Sequence, residues 1–256
     1  MRRTAAILAI ISAGALLVAC GRGGHFTTTG APARTVAGAA TTTAPRAGGA
    51  RPSGKAQALA YARAVNLTAA DVPGFQASSR SHERETAVGA RAEHAMDRCL
   101  GGAGGARAVA ELGSKEFEAQ VGIYNATVSS QVSVAPTPAV AAGELAEFRS
   151  GHARGCLRRY LDLLFKGGQY GGAVRVVSIA AGTPPAPGMT GSFGWRISSA
   201  IALHGIRVPF YEDILGFVDG AAEVTLMSSG LPRPFPAAIE QQLFLLLLKR
   251  AAAQRA

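Results

Sequence analysis

Side chains able to do chemistry are few in this chain and widely spaced. Its 256 residues include three Cys and five His. A nucleophilic serine would need a strained Gly-x-Ser-x-Gly turn, and Gly191-Ser192-Phe193-Gly194 lacks that spacing. Paired carboxylates could divide acid and base duty if they faced one another. Glu83 and Glu85 fall in a polar loop, and Glu212 and Asp213 are neighbours in a strand-like run. Adjacent strand residues point to opposite faces, so that pair is not expected to cooperate. His82 and His94 are too far apart for the short spacing of paired zinc ligands, His25 falls in an unpatterned tether, and His204 sits at a turn. The glycine run Gly101-Gly102-Ala103-Gly104-Gly105 has no strand before it and no Gly-Lys-Ser/Thr after it. It is a helix stop rather than a phosphate cradle. No catalytic residue, metal ligand or cofactor is therefore expected, and the protein is not expected to be an enzyme.

The cysteines carry the most specific signal. Met1-Arg2-Arg3 is a short positive segment, Ala5 to Ala19 is apolar, and Cys20 follows at once. That is the plan of a secretory signal over residues 1–19, too short for a stable spanning helix. Leu17-Val18-Ala19-Cys20 resembles the bacterial lipobox, in which the Cys thiol takes a diacylglycerol and the new N-terminus an acyl chain such as palmitate. Two or three chains anchor stably where one binds only marginally. The implied location is the extracytoplasmic face of the cell membrane, with Cys20 as the site of lipid attachment. Export also decides the redox question. Outside the cytoplasm, Cys99 and Cys156 are expected to form one disulfide. Buried free thiols are the alternative, and metal binding is disfavoured because no His is seen at ligand spacing from either Cys.

Residues 20–55 are rich in Thr, Ala, Gly, Pro and Arg, without hydrophobic period. This segment is expected to be a disordered tether, its Thr clusters open to glycosylation. It also explains the charge. The chain carries +10, but from Gln57 onward 19 basic residues face all 16 acidic ones, leaving +3. Arg2 and Arg3 leave with the signal, and five cations ride on the tether, where they favour anionic headgroups. A nucleic-acid partner is not expected.

What remains, residues 56–256, has the patterning of a single α+β domain. Helices are expected over 56–65, 89–100, 138–165 with bends at Gly151 and Gly155, and 236–253. Thr68 and Asp71 make a weak capping box for a single turn ended by Pro73-Gly74. Strands are expected over 117–123 and 127–134, and a β-rich run over 174–181 leads to three more over 193–203, 206–218 and 222–228. The joins at His204-Gly205 and Asp219-Gly220 describe an antiparallel meander, and Pro209 predicts a bulge or an edge position. Arg158, Asp162 and Lys166 follow at i,i+4 as a paired, solvated ladder. Leu243 to Leu248 is too short to cross a bilayer, so the last helix packs on the sheet. The expected architecture is an antiparallel sheet of about five strands against helices, in the order ααββαβββα, with one inter-helix disulfide.

Four segments, "LTAADVPGF", "AMDRCLGG", the long run "SKEFEAQVGIYNATVSSQVSVAPTP" to "CLRRYL", and "PFPAAIEQQLFLLLLKRAA", together resemble the extracytoplasmic sensor-like domains of actinobacterial lipoproteins. They are also similar to the extracellular sensor domains of mycobacterial serine/threonine kinases. Members often place one Cys before a Gly-rich turn and another in the following long helix, as Cys99 and Cys156 stand here. The chain departs from the kinase sensors in having two domain cysteines rather than two disulfides, and no kinase domain. The resemblance implies a sensor or ligand-binding role, with a ligand or envelope protein of unknown identity as partner. A carrier of a lipid or other hydrophobic molecule is the alternative. Trp195, Phe193, Phe210, Tyr211, Phe217, Phe235 and Phe244 would line its pocket, unless they simply fill the core.

Overall fold

The structure is a computed structural model and describes residues 54–78, 87–100, 108–167, 173–203 and 205–255. The expected signal, Cys20 and nearly all of the tether lie outside these residues, as do His25, His82, Glu83, Glu85, His204 and the glycine run at 101–105. The described part is an α+β fold of five helices on one mixed-length sheet.

Helix α1 is Lys55–Val65 and buries Ala58, Tyr61, Ala62 and Val65, one stripe at helical spacing. A 3-10 turn, Ala69–Asp71, follows. The Asp71 carboxylate accepts hydrogen bonds from Thr68 N and Oγ1 at 2.7 and 2.9 Å, and Gly74 turns the chain out with φ +88°. Strand β1 is the pair Gln76–Ala77, and helix α2 is Ala87–Cys99. Strands β2 (Ala110–Gly113), β3 (Phe117–Val121) and β4 (Tyr124–Val134) come next. Both β2 and β3 pair antiparallel with β4 along the same edge, β3 with its first half and β2 with its second. They are one strand interrupted at Ser114, whose N–H donates to the Ser130 carbonyl and whose Oγ accepts from Ser130 N. The long helical stretch divides into α3 (Pro138–Arg149) and α4 (Ala153–Gly167). Thr137 caps α3 by accepting from Val140 N, and the break falls at Ser150 and Gly151. Gly155 lies inside α4 and bends nothing.

The C-terminal half supplies β5 (Val174–Gly182), β6 (Gly191–Leu203), β7 (Ile206–Asp219), β8 (Ala222–Leu231) and helix α5 (Ala237–Ala253). Sheet order is β1-β3-β4-β8-β7-β6-β5, all pairs antiparallel, so the expected meander β6–β7–β8 forms. Gly205 and Gly220 turn its corners at φ +82° and +61°. Pro209 pairs only toward β6, because β8 first meets β7 at Tyr211, so it stands at a local edge. The bulge occurs instead in β5, between Val176 and Ser178. The sheet has eight strands where about five were expected. The β-rich run at 174 is a full strand, while β1 and β2 are two and four residues long, below the length at which alternation can be recognised.

Each face of the sheet is covered. Helices α2, α3 and α4 lie on one side over Phe193, Trp195, Ile197, Ile214 and Val218. Helices α1 and α5 lie on the other over Val128, Val132, Phe217, Val224 and Leu226. The disulfide Cys99–Cys156 (S–S 2.11 Å, Cα–Cα 5.5 Å) joins the end of α2 to the first turn of α4. Among the described residues no helix is long and apolar enough to cross a membrane.

Candidate functional site

Strand alternation sorts the polar side chains between the two faces. On the α1/α5 face, among the described residues, every buried side-chain nitrogen and oxygen is met. Ser130 Oγ accepts from Leu67 N and donates to Asn66 Oδ1, both at 2.8 Å, and Asn66 Nδ2 donates to the Leu112 carbonyl. Arg250 of α5 reaches Asp71 with two nitrogens at 2.8 and 2.9 Å and also donates to the Asn66 carbonyl. Burial alone would raise the Asp71 carboxyl, but the Arg250 and Thr68 hydrogen bonds outweigh it and hold it below the usual carboxylate range. Asp213 pairs with Arg196 at 2.6 and 3.0 Å. Ser228 donates to Glu240 of α5, whose carboxyl burial still pushes up.

The α2–α4 face differs. Three buried side-chain oxygens have no hydrogen-bond partner among the described residues: Gln131 Oε1, Ser199 Oγ and Glu212 Oε2. Each sits on a different strand, β4, β6 and β7, and register and alternation turn all three toward this face. Glu212 lies directly opposite Ile197, two residues from Ser199. Burial pushes its carboxyl up to about 8, with the neighbouring Asp213 charge adding to the rise. Glu223 of β8 is likewise raised to about 8, by burial first and then by the Glu144 charge of α3. Tyr160 of α4 rises well above its usual value through burial and then the Glu93 and Glu212 charges, which places those carboxyls close to it. At neutral pH Glu212 and Glu223 are therefore mainly uncharged, each holding a proton it can donate.

Beside Glu212 on the same face is an apolar crevice lined by Met96, Phe148, Leu157, Phe193, Trp195 and Ile214. Its non-atom space of about 290 Å³ includes open solvent at the mouth. The side chains leave room inside for little more than one water. Phe148 and Phe193 stack at 5.0 Å, and Phe193 lies flat over Gly216, where a Cβ would sit 2.3 Å from its ring.

The residues singled out in the sequence do not converge on one site. Glu212 and Asp213 face opposite ways, as alternation requires. The Ser192 hydroxyl donates to the Pro184 carbonyl, and Arg149 Nε holds the Ser192 carbonyl at 2.7 Å. The seven aromatic residues are divided by the sheet. Phe193, Trp195 and Phe210 lie under α2–α4, while Tyr211, Phe217, Phe235 and Phe244 are on the α1/α5 side. They cannot line a common pocket. Nor is Arg158 part of a ladder: it makes no ion pair with Asp162 and donates instead to the Val176 carbonyl at 3.5 Å.

Two features escaped the sequence. Ser199 and Gln131 are ordinary polar residues in strands, and only the register shows that they share a buried face with Glu212. His152 stands four residues before Cys156, one helical turn away. Its Nε2 donates to the Cys99 carbonyl at 2.8 Å and lies 3.8 Å from Cys99 Sγ. The expectation that no His lies at ligand spacing from either Cys is thus corrected. Comparison with known proteins finds no family model and no curated relative that matches this chain.

Proposed function

We infer that this protein is a lipid-anchored component of the bacterial cell envelope, presenting a non-catalytic sensor or ligand-binding domain on the extracytoplasmic face of the membrane. The anchor rests on the Leu17-Val18-Ala19-Cys20 pattern behind its apolar segment. The binding role rests on one structural observation: all three unpartnered buried oxygens fall on the α2–α4 face. Leaving a buried polar group unpaired costs about 1–3 kcal/mol, and a ligand that pairs it recovers that cost. Ser199 and a protonated Glu212, on neighbouring strands and offset by two residues, offer donors and acceptors to a small polar group, while Gln131 stands apart on the same face, level with Gly216. The separation of Glu212 from Asp213 and the committed Ser192 hydroxyl support a role without catalysis. A carrier of bulky lipid draws less support, because the crevice is small and the aromatic residues are split between faces.

Two measurements test the two halves of this reading. Cys20→Ser should move the protein from the membrane to the soluble fraction, and loss of an acyl mass should accompany it. An unmutated protein carrying no acyl group overturns the anchor. Native mass spectrometry of the full chain from its own host membranes should find a bound small molecule that Ser199→Ala and Glu212→Gln release. A bare unmutated chain, or a ligand indifferent to both substitutions, overturns the binding site.

A further inference from the structure

We propose that Cys99, His152 and Cys156, once their disulfide is reduced, form a three-ligand site for a thiophilic divalent metal ion such as zinc. In the oxidised protein the two sulfurs and His152 Nε2 already lie within 4.8 Å of one another. The Nε2 to Cys99 Sγ separation of 3.8 Å is close to the ligand–ligand distance of about 3.5–3.8 Å around a tetrahedral ion with bonds of about 2.0–2.3 Å. Only the sulfur pair must open, and each sulfur sits at a helix end. Cys99 closes α2 and Cys156 lies in the first turn of α4.

His152 is fixed in place by the same helix. Its carbonyl accepts hydrogen bonds from Gly155 N and Cys156 N at 2.9 and 3.2 Å, so the imidazole stands one turn before the sulfur. To bind, the neutral ring releases the Cys99 carbonyl, passes its proton through solvent from Nε2 to Nδ1, and turns the Nε2 lone pair to the metal. Cys156 is fully buried, Cys99 half-buried and His152 exposed, which leaves the fourth position open to water. Two sulfurs and one imidazole select zinc or a similar ion over magnesium or calcium.

The chemistry balances. A dithiol reductant supplies two electrons and two protons, breaking the S–S bond and giving two thiols while the reductant becomes a cyclic disulfide. The metal ion then displaces both thiol protons and binds two thiolates. Metal affinity and deprotonation are thereby linked. The junction between α2 and α4 has a fastener in either redox state, a covalent bond when oxidised and a metal bridge when reduced.

The test uses the full chain carrying Cys20→Ser, in detergent, with cobalt(II) as the probe under anaerobic conditions. The reduced protein should bind one equivalent and show thiolate-to-cobalt absorption that zinc bleaches, whereas the oxidised protein should show none. His152→Ala should weaken binding at least about ten-fold, since even loss of an outer-shell partner costs that much. His94→Ala, on the exposed side of α2, should leave it unchanged. Absence of the absorption in the reduced chain overturns the proposal, as does equal binding by the oxidised chain. Equal effects of His152→Ala and His94→Ala also overturn it, because a chain unfolded by reduction would use its histidines indifferently.

Discussion

The two faces of the sheet are built from the same strands yet meet their polar groups in opposite ways. Under α1 and α5, Arg250, Asp71, Asn66, Leu67 and Ser130 form a connected network that ties the first helix to the last through β4. Under α2, α3 and α4, among the described residues, two carboxyls are buried without a cation and three oxygens are unpaired. That side is fastened covalently instead. The difference separates two ways of holding a layer. A satisfied network specifies one arrangement and leaves nothing for a ligand. A disulfide holds helices in place while polar capacity beneath them goes unused, and such capacity is characteristic of functional sites.

The largest expected effect is on the staple. Replacing Cys99 and Cys156 together by Ala should cost about 4 kcal/mol, given the 57-residue separation they close. Urea unfolding measures the total. Hydrogen exchange measures where it falls: α2 and α4 should lose protection while α1 and α5 keep theirs. Uniform loosening would erase the distinction between the faces.

A pH-dependent effect is expected from Glu212→Gln. The folded Glu212 carboxyl holds its proton up to about 8, against an ordinary value of 4.5. The folded state therefore binds more protons than the unfolded one between these values, and stability falls as pH rises across them. Glutamine keeps the uncharged form, so the variant should lose less stability from pH 5 to pH 8 than the unmutated protein. Parallel unfolding curves for the two proteins across that range would show that Glu212 ionises freely when folded.

The smallest of these effects belongs to the paired face and has the opposite pH dependence. Arg250→Met should cost about 2 kcal/mol at neutral pH by removing charge-assisted hydrogen bonds. Because the Asp71 carboxyl is held low, that contribution is present above the ordinary carboxylate value and vanishes as pH falls through the depressed one. Thermal melts of both proteins should converge in acid. A difference that persists there would mean that Arg250 acts through packing of its stem.

Much of this fold was legible because its elements are long and periodic. Tyr61, Ala62 and Val65 in α1 lie on one helical stripe, and Asp219-Gly220 marks a hairpin by the backbone angle its glycine adopts. The interrupted edge strand was not legible, since β2 and β3 are recognisable only by their shared partner β4. The candidate site was hidden for a related reason. Alternation tells that Glu212 and Asp213 part company, but not that Gln131, on a strand far away in sequence, and Ser199, on the neighbouring strand, share the face of Glu212. That depends on register across β4, β8, β7 and β6. The aromatic residues failed for the converse reason: their common chemistry implied a common place, and the sheet runs between them. His152 and Cys156 were readable as an i,i+4 pair, yet only the fold brings Cys99 to them.

The bulge in β5 bears on how copies of this protein behave when crowded. This nine-residue strand is at the end of the sheet, with β6 as its one strand neighbour among the described residues. A flat edge of that length is a template on which a second chain can add its own strand. The extra residue between Val176 and Ser178 breaks the regular spacing of donors and acceptors, and Arg158 occupies the Val176 carbonyl. An incoming strand finds no continuous ladder to extend, so the sheet ends at β5 instead of growing from one molecule into the next.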